Sequence, residues 1–254
     1  MAVPAELGER LYRAYVDREP VDPASLPTEL TVEEGYAAQE TFVERRVPDE
    51  GAPVGYKVGF TSEAVRSDLG VDSPASGRVL ADTVRENRRF DTSDLIEPRV
   101  EPEIAFLLGK ELTPPASRLD VLAAVRLIVP VVEVVDSRIR EWDVTAPTAI
   151  ADNTLAGRVL IGDRTTTGNV DLGREGVELL VDGERRATGT GTAVLGHPAD
   201  AVVWLAEALA DNGETLHAGE FVTTGSITEP IPVAAGETVV ARFSSLGSVV
   251  AHAE

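Results

Sequence analysis

The sequence predicts an α+β fold, a mixed β-sandwich or roll with a small helical N-terminal part, and three observations predict it. Helix-period apolar spacing dominates the first fifty residues. From Val54 onward the apolar residues come in short runs bounded by Gly, Pro and Asp, and only two helical stretches interrupt those runs. Strands that seldom alternate with helices argue against a doubly wound parallel sheet. They leave a mixed or antiparallel roll with helices packed outside, or α+β layers kept apart.

In chain order, Leu7, Leu11 and Tyr15 recur at four-residue spacing and predict a first helix, which the stretch from Pro20 to Pro27 interrupts. Thr31 with Glu34 makes a capping box, and Val32, Tyr36, Val43 and Val47 then line one face of a second helix that stops before Pro48. These helices form a cap over residues 1–50, and residues 51–254 form the β domain. Strands are expected at Val54 to Phe60, Val100 to Leu108, Val131 to Val135 and Val159 to Ile161. Four more follow at Val177 to Val181, Phe221 to Thr224, Thr238 to Phe243 and Ser248 to Ala251. Asp182-Gly183 marks a hairpin, since a type I′ turn needs positive φ at both central residues. One helix is predicted from Leu119 to Ile128 with Ser117 as N-cap. Another runs from Pro198 to Ala210, with proline at its first position and Gly213 near its end.

The 254 residues include 43 acidic and 23 basic side chains, a net charge of -20 that repels polyphosphate and excludes nucleic acid and anionic membranes as partners. Cysteine is absent, which removes disulfides, thiolate metal sites and cysteine nucleophiles together. With no apolar leader near Met1 and no apolar run of about 18 residues, the expectation is a cytoplasmic protein. Lysine occurs only as Lys57 and Lys110, so a lysine inside an apolar segment stands out.

Three glutamates carry the candidate chemistry. Glu101 and Glu103 stand two apart at the start of an apolar run, which puts them on one face of a strand. Glu133 lies among Val131, Val132, Val134 and Val135, where a buried charge is costly unless paired or bound to metal. Carboxylates without nearby cysteine or histidine suit Mg²⁺ or Mn²⁺ rather than Zn²⁺. A solvated strand start for the first pair and an arginine partner for Glu133 are the competing readings. Lys57, between Gly55 and Gly59, reads either as a desolvated lysine tuned for proton transfer or as one reaching out to solvent. His197, just before Pro198, reads as a turn or cap.

Several blocks in series carry a resemblance: Lys57-Val58-Gly59-Phe60-Thr61, Pro98 to Phe106 with both glutamates, Glu133 followed by Asp136-Ser137-Arg138, Ala151-Asp152-Asn153, Leu195-Gly196-His197-Pro198 and Leu246-Gly247-Ser248-Val249. From about Gly51 to Ala251 the chain resembles the hydratase/decarboxylase branch of the fumarylacetoacetate hydrolase superfamily. That branch comprises 2-hydroxypentadienoate (2-keto-4-pentenoate) hydratases and 4-oxalocrotonate decarboxylases. The resemblance implies a mixed β-roll, with Glu101, Glu103 and Glu133 holding Mg²⁺ and Lys57 as the catalytic lysine. It implies hydration of a 2-oxo acid through a metal-chelated enolate, with decarboxylation as the alternative; a non-catalytic or degenerate binding subunit of the same fold is the second alternative. It also implies homo-oligomers and association with a related pathway enzyme. Two positions depart from the family pattern: Ala75 replaces an acid implicated in proton handling, and Leu155 stands where a serine is common. Asp72 is then the candidate second catalytic group, and Ser76, Arg138 and Thr224 are the candidate substrate contacts.

Overall fold

The computed structural model describes residues 3–162 and 170–254. Its N-terminal helices are α1 (Val3–Asp17) and α2 (Val32–Glu50), joined through Leu7, Leu11, Ala38 and Phe42 to Ile139 and Ala151 of the β domain. The Thr31–Glu34 capping box is present. Helix α2 does not stop before Pro48 as the sequence suggested. A proline in the last turn forfeits a single N–H bond, and the Gly51 N–H closes that turn on the Val47 carbonyl.

The strands are β1 (Pro53–Gly59), β2 (Ala75–Leu80), β3 (Val84–Arg85), β4 (Arg89–Phe90), β5 (Arg99–Leu108), β6 (Val125–Val135) and β7 (Ala156–Ile161). After them come β8 (Gly176–Val181), β9 (Glu184–Thr190), β10 (Phe221–Ser226), β11 (Ile231–Pro232), β12 (Thr238–Phe243) and β13 (Ser248–Ala253). Four further helices are α3 (Glu63–Leu69), α4 (Arg118–Ala124), α5 (Ala146–Ala151) and α6 (Pro198–Ala210). One mixed sheet has the order β2-β1-β10-β5-β6-β7-β3, with β11 added to β5; the second has the order β4-β13-β12-β8-β9. The expected hairpin joins β8 to β9 at Asp182 and Gly183, both at positive φ (50° and 81°).

Alternation sorts the long strands onto two faces. Val100, Ile104 and Phe106 of β5, Val132 and Val134 of β6 and Leu160 of β7 meet Leu179, Val239 and Ala241 of the second sheet in the main core, with Leu205 of α6. The opposite, inner face of the first sheet carries a smaller cluster of Val79, Ala105, Val131, Val159 and Phe221.

The helix expected through Ile128 ends at Ala124. Leu127 and Ile128 pair with Leu107 and Phe106, so the β5 ladder claims four residues whose local pattern fits a helix equally well. The window Gly191–Ala210 has a mean hydropathy of 1.2, contrary to the expectation of no long apolar run. Only its last 13 residues form α6, short of the roughly 20 needed to span a bilayer.

A turn of unusual backbone holds the first sheet in its curl. Asn153, Thr154 and Leu155 take consecutive left-handed conformations (φ 52°, 51° and 64°), each strained for a side chain with a Cβ. Asn153 acts as a surrogate strand for β2: its Oδ1 accepts from the Arg78 N–H at 2.7 Å and its Nδ2 donates to the Arg78 carbonyl at 2.9 Å. Thr154 Oγ1 donates to the Ser76 carbonyl at 2.8 Å. Because this turn leads directly into β7, it ties β2 at one margin of the sheet to β7 near the other.

Candidate active site and metal centre

The curl brings distant strands together on the inner face. Glu101 and Glu133 are direct cross-strand partners of β5 and β6, and Glu103 lies two residues deeper on the same face as Glu101. One carboxylate oxygen from each of the three lies within 4.8 Å of the others. Lys57 is on β1, with β10 and β5 between it and β6, yet its Nζ stands 2.8 Å from Glu133 Oε1. Lys57, Glu103 and Glu133 are 4%, 1% and 1% exposed, so the lysine does not reach solvent; Glu101 is half-buried at the mouth. Gly225, where the register of β10 shifts between Thr223 and Ser226, donates its N–H to Glu103 Oε2 at 2.9 Å.

Like charges this close shape one another's protonation. Burial pushes Glu101 up to about 7, with Glu133 adding to the rise and Lys57 opposing it. Burial, then Glu133 and Glu101, hold Glu103 well above the usual carboxylate range. Burial works against the charge of Lys57, but Glu133, Glu101 and Glu103 outweigh it and lift the lysine above its ordinary value. The Lys57 ammonium and the Arg99 guanidinium, which opposes the rise at Glu101, are two positive charges against three carboxylates, and Glu133 Oε2 is buried with no hydrogen-bond partner among the described residues. An orphaned carboxylate oxygen in an all-oxygen donor set is the fit expected of a hard divalent cation such as Mg²⁺.

The other candidates lie elsewhere. Arg138 is spent on the protein: Nε and the backbone N–H bond the Asp152 carboxylate, Nη2 donates to the Asp152 carbonyl and Nη1 to the Ala156 carbonyl. It holds the turn that closes the sheet and offers no fork to a ligand. Ser76 is paired in register with Val58, whose side chain is in the main core, so Ser76 sits on the face opposite Lys57; Ala75 and Gly77 share the lysine's face. Thr224 donates its hydroxyl to the Ile104 carbonyl at 2.7 Å. Asp72 is exposed in the loop between α3 and β2, outside the carboxylate cluster. His197 caps α6, its Nδ1 accepting from the Ala199 N–H.

The residue that sequence reasoning passed over is Thr223. It is fully buried, pairs in register with both Lys57 and Ala105, and its hydroxyl has no partner. Its parity with Phe221, which is in the inner cluster, was the available signal.

A two-sheet roll with a glutamate triad, two of its members buried, and a buried lysine defines a metal-binding enzyme scaffold. The chain belongs to the fumarylacetoacetate (FAA) hydrolase C-terminal family, whose model matches residues 35–253. It is 34% identical over 249 residues to 2-keto-4-pentenoate hydratase of Paraburkholderia xenovorans, covering 96% of this chain and 92% of that one. It is 38% identical over 228 residues to 4-oxalocrotonate decarboxylase of Pseudomonas putida, covering 88% and 86%. The solved 4-oxalocrotonate decarboxylase from Pseudomonas putida G7, complexed with magnesium and adipate, superposes with a TM-score of 0.91 at 33% identity over 99% of this chain and 97% of that one.

Proposed function

We propose that the protein is a Mg²⁺-dependent lyase that hydrates 2-hydroxypenta-2,4-dienoate-type acids. The observation that carries the reading is the meeting of Glu101, Glu103 and Glu133 around an orphaned oxygen with Lys57 Nζ beside it. The hydratase relatives, at 34% identity and above, give it its substrate class.

Glu101, Glu103 and Glu133 would hold the cation, which when bound polarises a 2-oxo group and lowers the energy of its enol form. Three carboxylates against a divalent ion leave one negative charge, which the Lys57 ammonium offsets. Burial works against the Lys57 charge, and a cation shared by the same three carboxylates would weaken their hold on its proton, moving Lys57 toward release of that proton. Lys57 Nζ thus carries the proton between oxygen and carbon as dienol becomes ketone. The apolar inner cluster below keeps bulk water from the deep end. Thr223, beside the lysine stem, offers its free hydroxyl to the substrate's oxygen-bearing end.

A purified sample with Mg²⁺ is expected to consume 2-hydroxypenta-2,4-dienoate and yield 4-hydroxy-2-oxopentanoate by NMR, and to stop on chelation with EDTA. Failure to turn over the dienoate, together with CO₂ release from 2-oxohex-3-enedioate, would establish the decarboxylase reading instead, which the superposition with the decarboxylase favours.

Thr223→Val separates fold from function. A buried hydroxyl without a partner costs about 1–3 kcal/mol, so valine is expected to leave the urea midpoint unchanged or higher. Loss of a hydrogen bond to a charged group, about 1.5–3 kcal/mol, lowers kcat/KM by roughly 10- to 150-fold. Thr223→Ser should restore most of it, and wild-type kcat/KM in the valine variant would remove Thr223 from the site.

A further inference from the structure

Resting on that reading, we propose that Gln39 of helix α2 is a positioning residue for the proton carrier: acting through β2 and the turn Asn153–Leu155, it sets where Lys57 stands against the glutamates. Lys57 and Glu133 are joined by two routes round the first sheet. One crosses β10 and β5; the other crosses β2, the turn and β7, whose Val159 is the cross-strand partner of Glu133. On the second route β2 and β7 share no ladder, so the side chains that close it fix how far the sheet curls. That curl sets the reach from Nζ to the triad. The closure also lies against the lysine itself. Gly77 is the cross-strand partner of Lys57 and Gly59 follows it by two residues, so both share its face. A Cβ at Gly77 would stand 2.5 Å from the Asn153 carbonyl oxygen, and one at Gly59 would stand 2.5 Å from Thr154 Cγ2. The strained turn is thus seated in a notch left by two missing side chains beside the Lys57 stem.

Helix α2 holds this closure from outside. β2 is a margin strand, whose outward N–H and C=O groups need partners that no further strand supplies. The Ser76 N–H donates to the Tyr36 hydroxyl at 3.0 Å, and the Ser76 carbonyl accepts from Gln39 Nε2 at 2.9 Å. The same Nε2 donates to the Ile150 carbonyl at 2.8 Å, in the last turn of α5, which runs directly into Asn153. Gln39 is 7% exposed, and both N–H groups of its one amide are spent on joining β2 to the helix that feeds the turn. A leucine there would fill the same space and join nothing. Among the described residues Gln39 makes no bond to the triad, which β5 and β6 carry, so the place of Lys57 and the holding of the cation are separable.

Steady-state kinetics at saturating Mg²⁺, paired with the melting shift that Mg²⁺ confers, test this. Gln39→Leu is expected to lower kcat by about 10- to 100-fold, the scale of a reacting group displaced by about 1 Å. KM and the Mg²⁺ concentration giving half the melting shift should stay within about 2-fold of wild type, a split that general loosening of the fold does not produce. Gly59→Ala perturbs the same closure without touching α2. Its methyl meets Thr154 Cγ2, so kcat should fall with the same signature. Adding Thr154→Ser deletes Cγ2 but keeps the hydroxyl that reaches Ser76, and should recover most of the loss. Wild-type kcat in Gln39→Leu overturns the inference, as does a loss shared equally by kcat and Mg²⁺ binding. Should Gln39→Leu fail to fold, the glycine pair decides, and no recovery in the double variant overturns the inference. A wild type that turns over neither the dienoate nor 2-oxohex-3-enedioate would overturn the functional reading and this inference with it. An active wild type with kcat unmoved in the variants overturns this inference alone.

Discussion

Glu133→Gln is expected to abolish both activity and the thermal stabilisation that Mg²⁺ confers, while the metal-free protein melts within about 4 °C of wild type. Breaking a buried ion pair ordinarily costs about 3–5 kcal/mol because a charge is stranded. Here Lys57 still faces Glu101 and Glu103, and the glutamine oxygen can accept from Nζ in place of Glu133 Oε1. Repulsion among three carboxylates also falls when one becomes neutral, so the two effects oppose each other and the net change is small. Cation affinity has no such compensation. Even groups that merely orient a ligand cost 10- to 100-fold when removed, so loss of a ligand charge should exceed about 100-fold. At a Mg²⁺ concentration 100 times the wild-type Kd, the wild type gains about 2.7 kcal/mol and the variant almost nothing. Scanning calorimetry with and without Mg²⁺ reads this directly, and an unchanged Mg²⁺ shift would rule the triad out. The same titration on wild type should weaken as pH falls through about 7. There Glu101 takes up the proton that a cation must displace.

How far the site was legible depends on which relations are local. Period-two alternation is a property of one strand, so Glu101 and Glu103 could be put on one face from spacing alone, and Glu133 stood out among valines. Lys57 could be singled out but not connected to them, because its approach to Glu133 spans four strands and depends on how the sheet curls. Parity also misleads when the strand itself goes unseen. The run Ala75–Leu80 is too mixed in polarity to read as β2, so nothing in the sequence shows that Ser76, a candidate contact beside Ala75, is turned away by its register with Val58. Arg138 looked like a free fork since nothing in the chain announces that Asp152, 14 residues on, returns to occupy it. The clamp at Asn153–Leu155 is least legible of all: threonine and leucine do not favour left-handed backbone, and long-range contacts hold them there, Thr154 to β2 and the Leu155 carbonyl to the Asp136 N–H.

Lys57→Met is expected to act in the opposite direction on the metal while also stopping turnover. Methionine keeps the length and apolar stem of lysine but withdraws the cation nearest the triad, Nζ lying 2.8 Å from Glu133 Oε1. Without it, Glu101 and Glu103, already raised by burial and by their neighbours, hold their protons more firmly in the metal-free state, and the fold loses stability. Above the pH at which those two carboxylates ionise, Mg²⁺ takes the place of the missing ammonium in neutralising the cluster, so there the melting-temperature rise on adding it should exceed that of wild type, where Glu133→Gln nearly erases it. Turnover should fall by about 10²–10⁴, the range for loss of a positioned proton carrier, even at saturating Mg²⁺. Two variants at the two ends of one ion pair thus separate holding the cation from moving the proton. If Lys57→Met instead lost Mg²⁺ binding along with activity, Lys57 would be a structural partner of the metal centre. If it retained turnover within 10-fold of wild type, proton transfer would belong to another group.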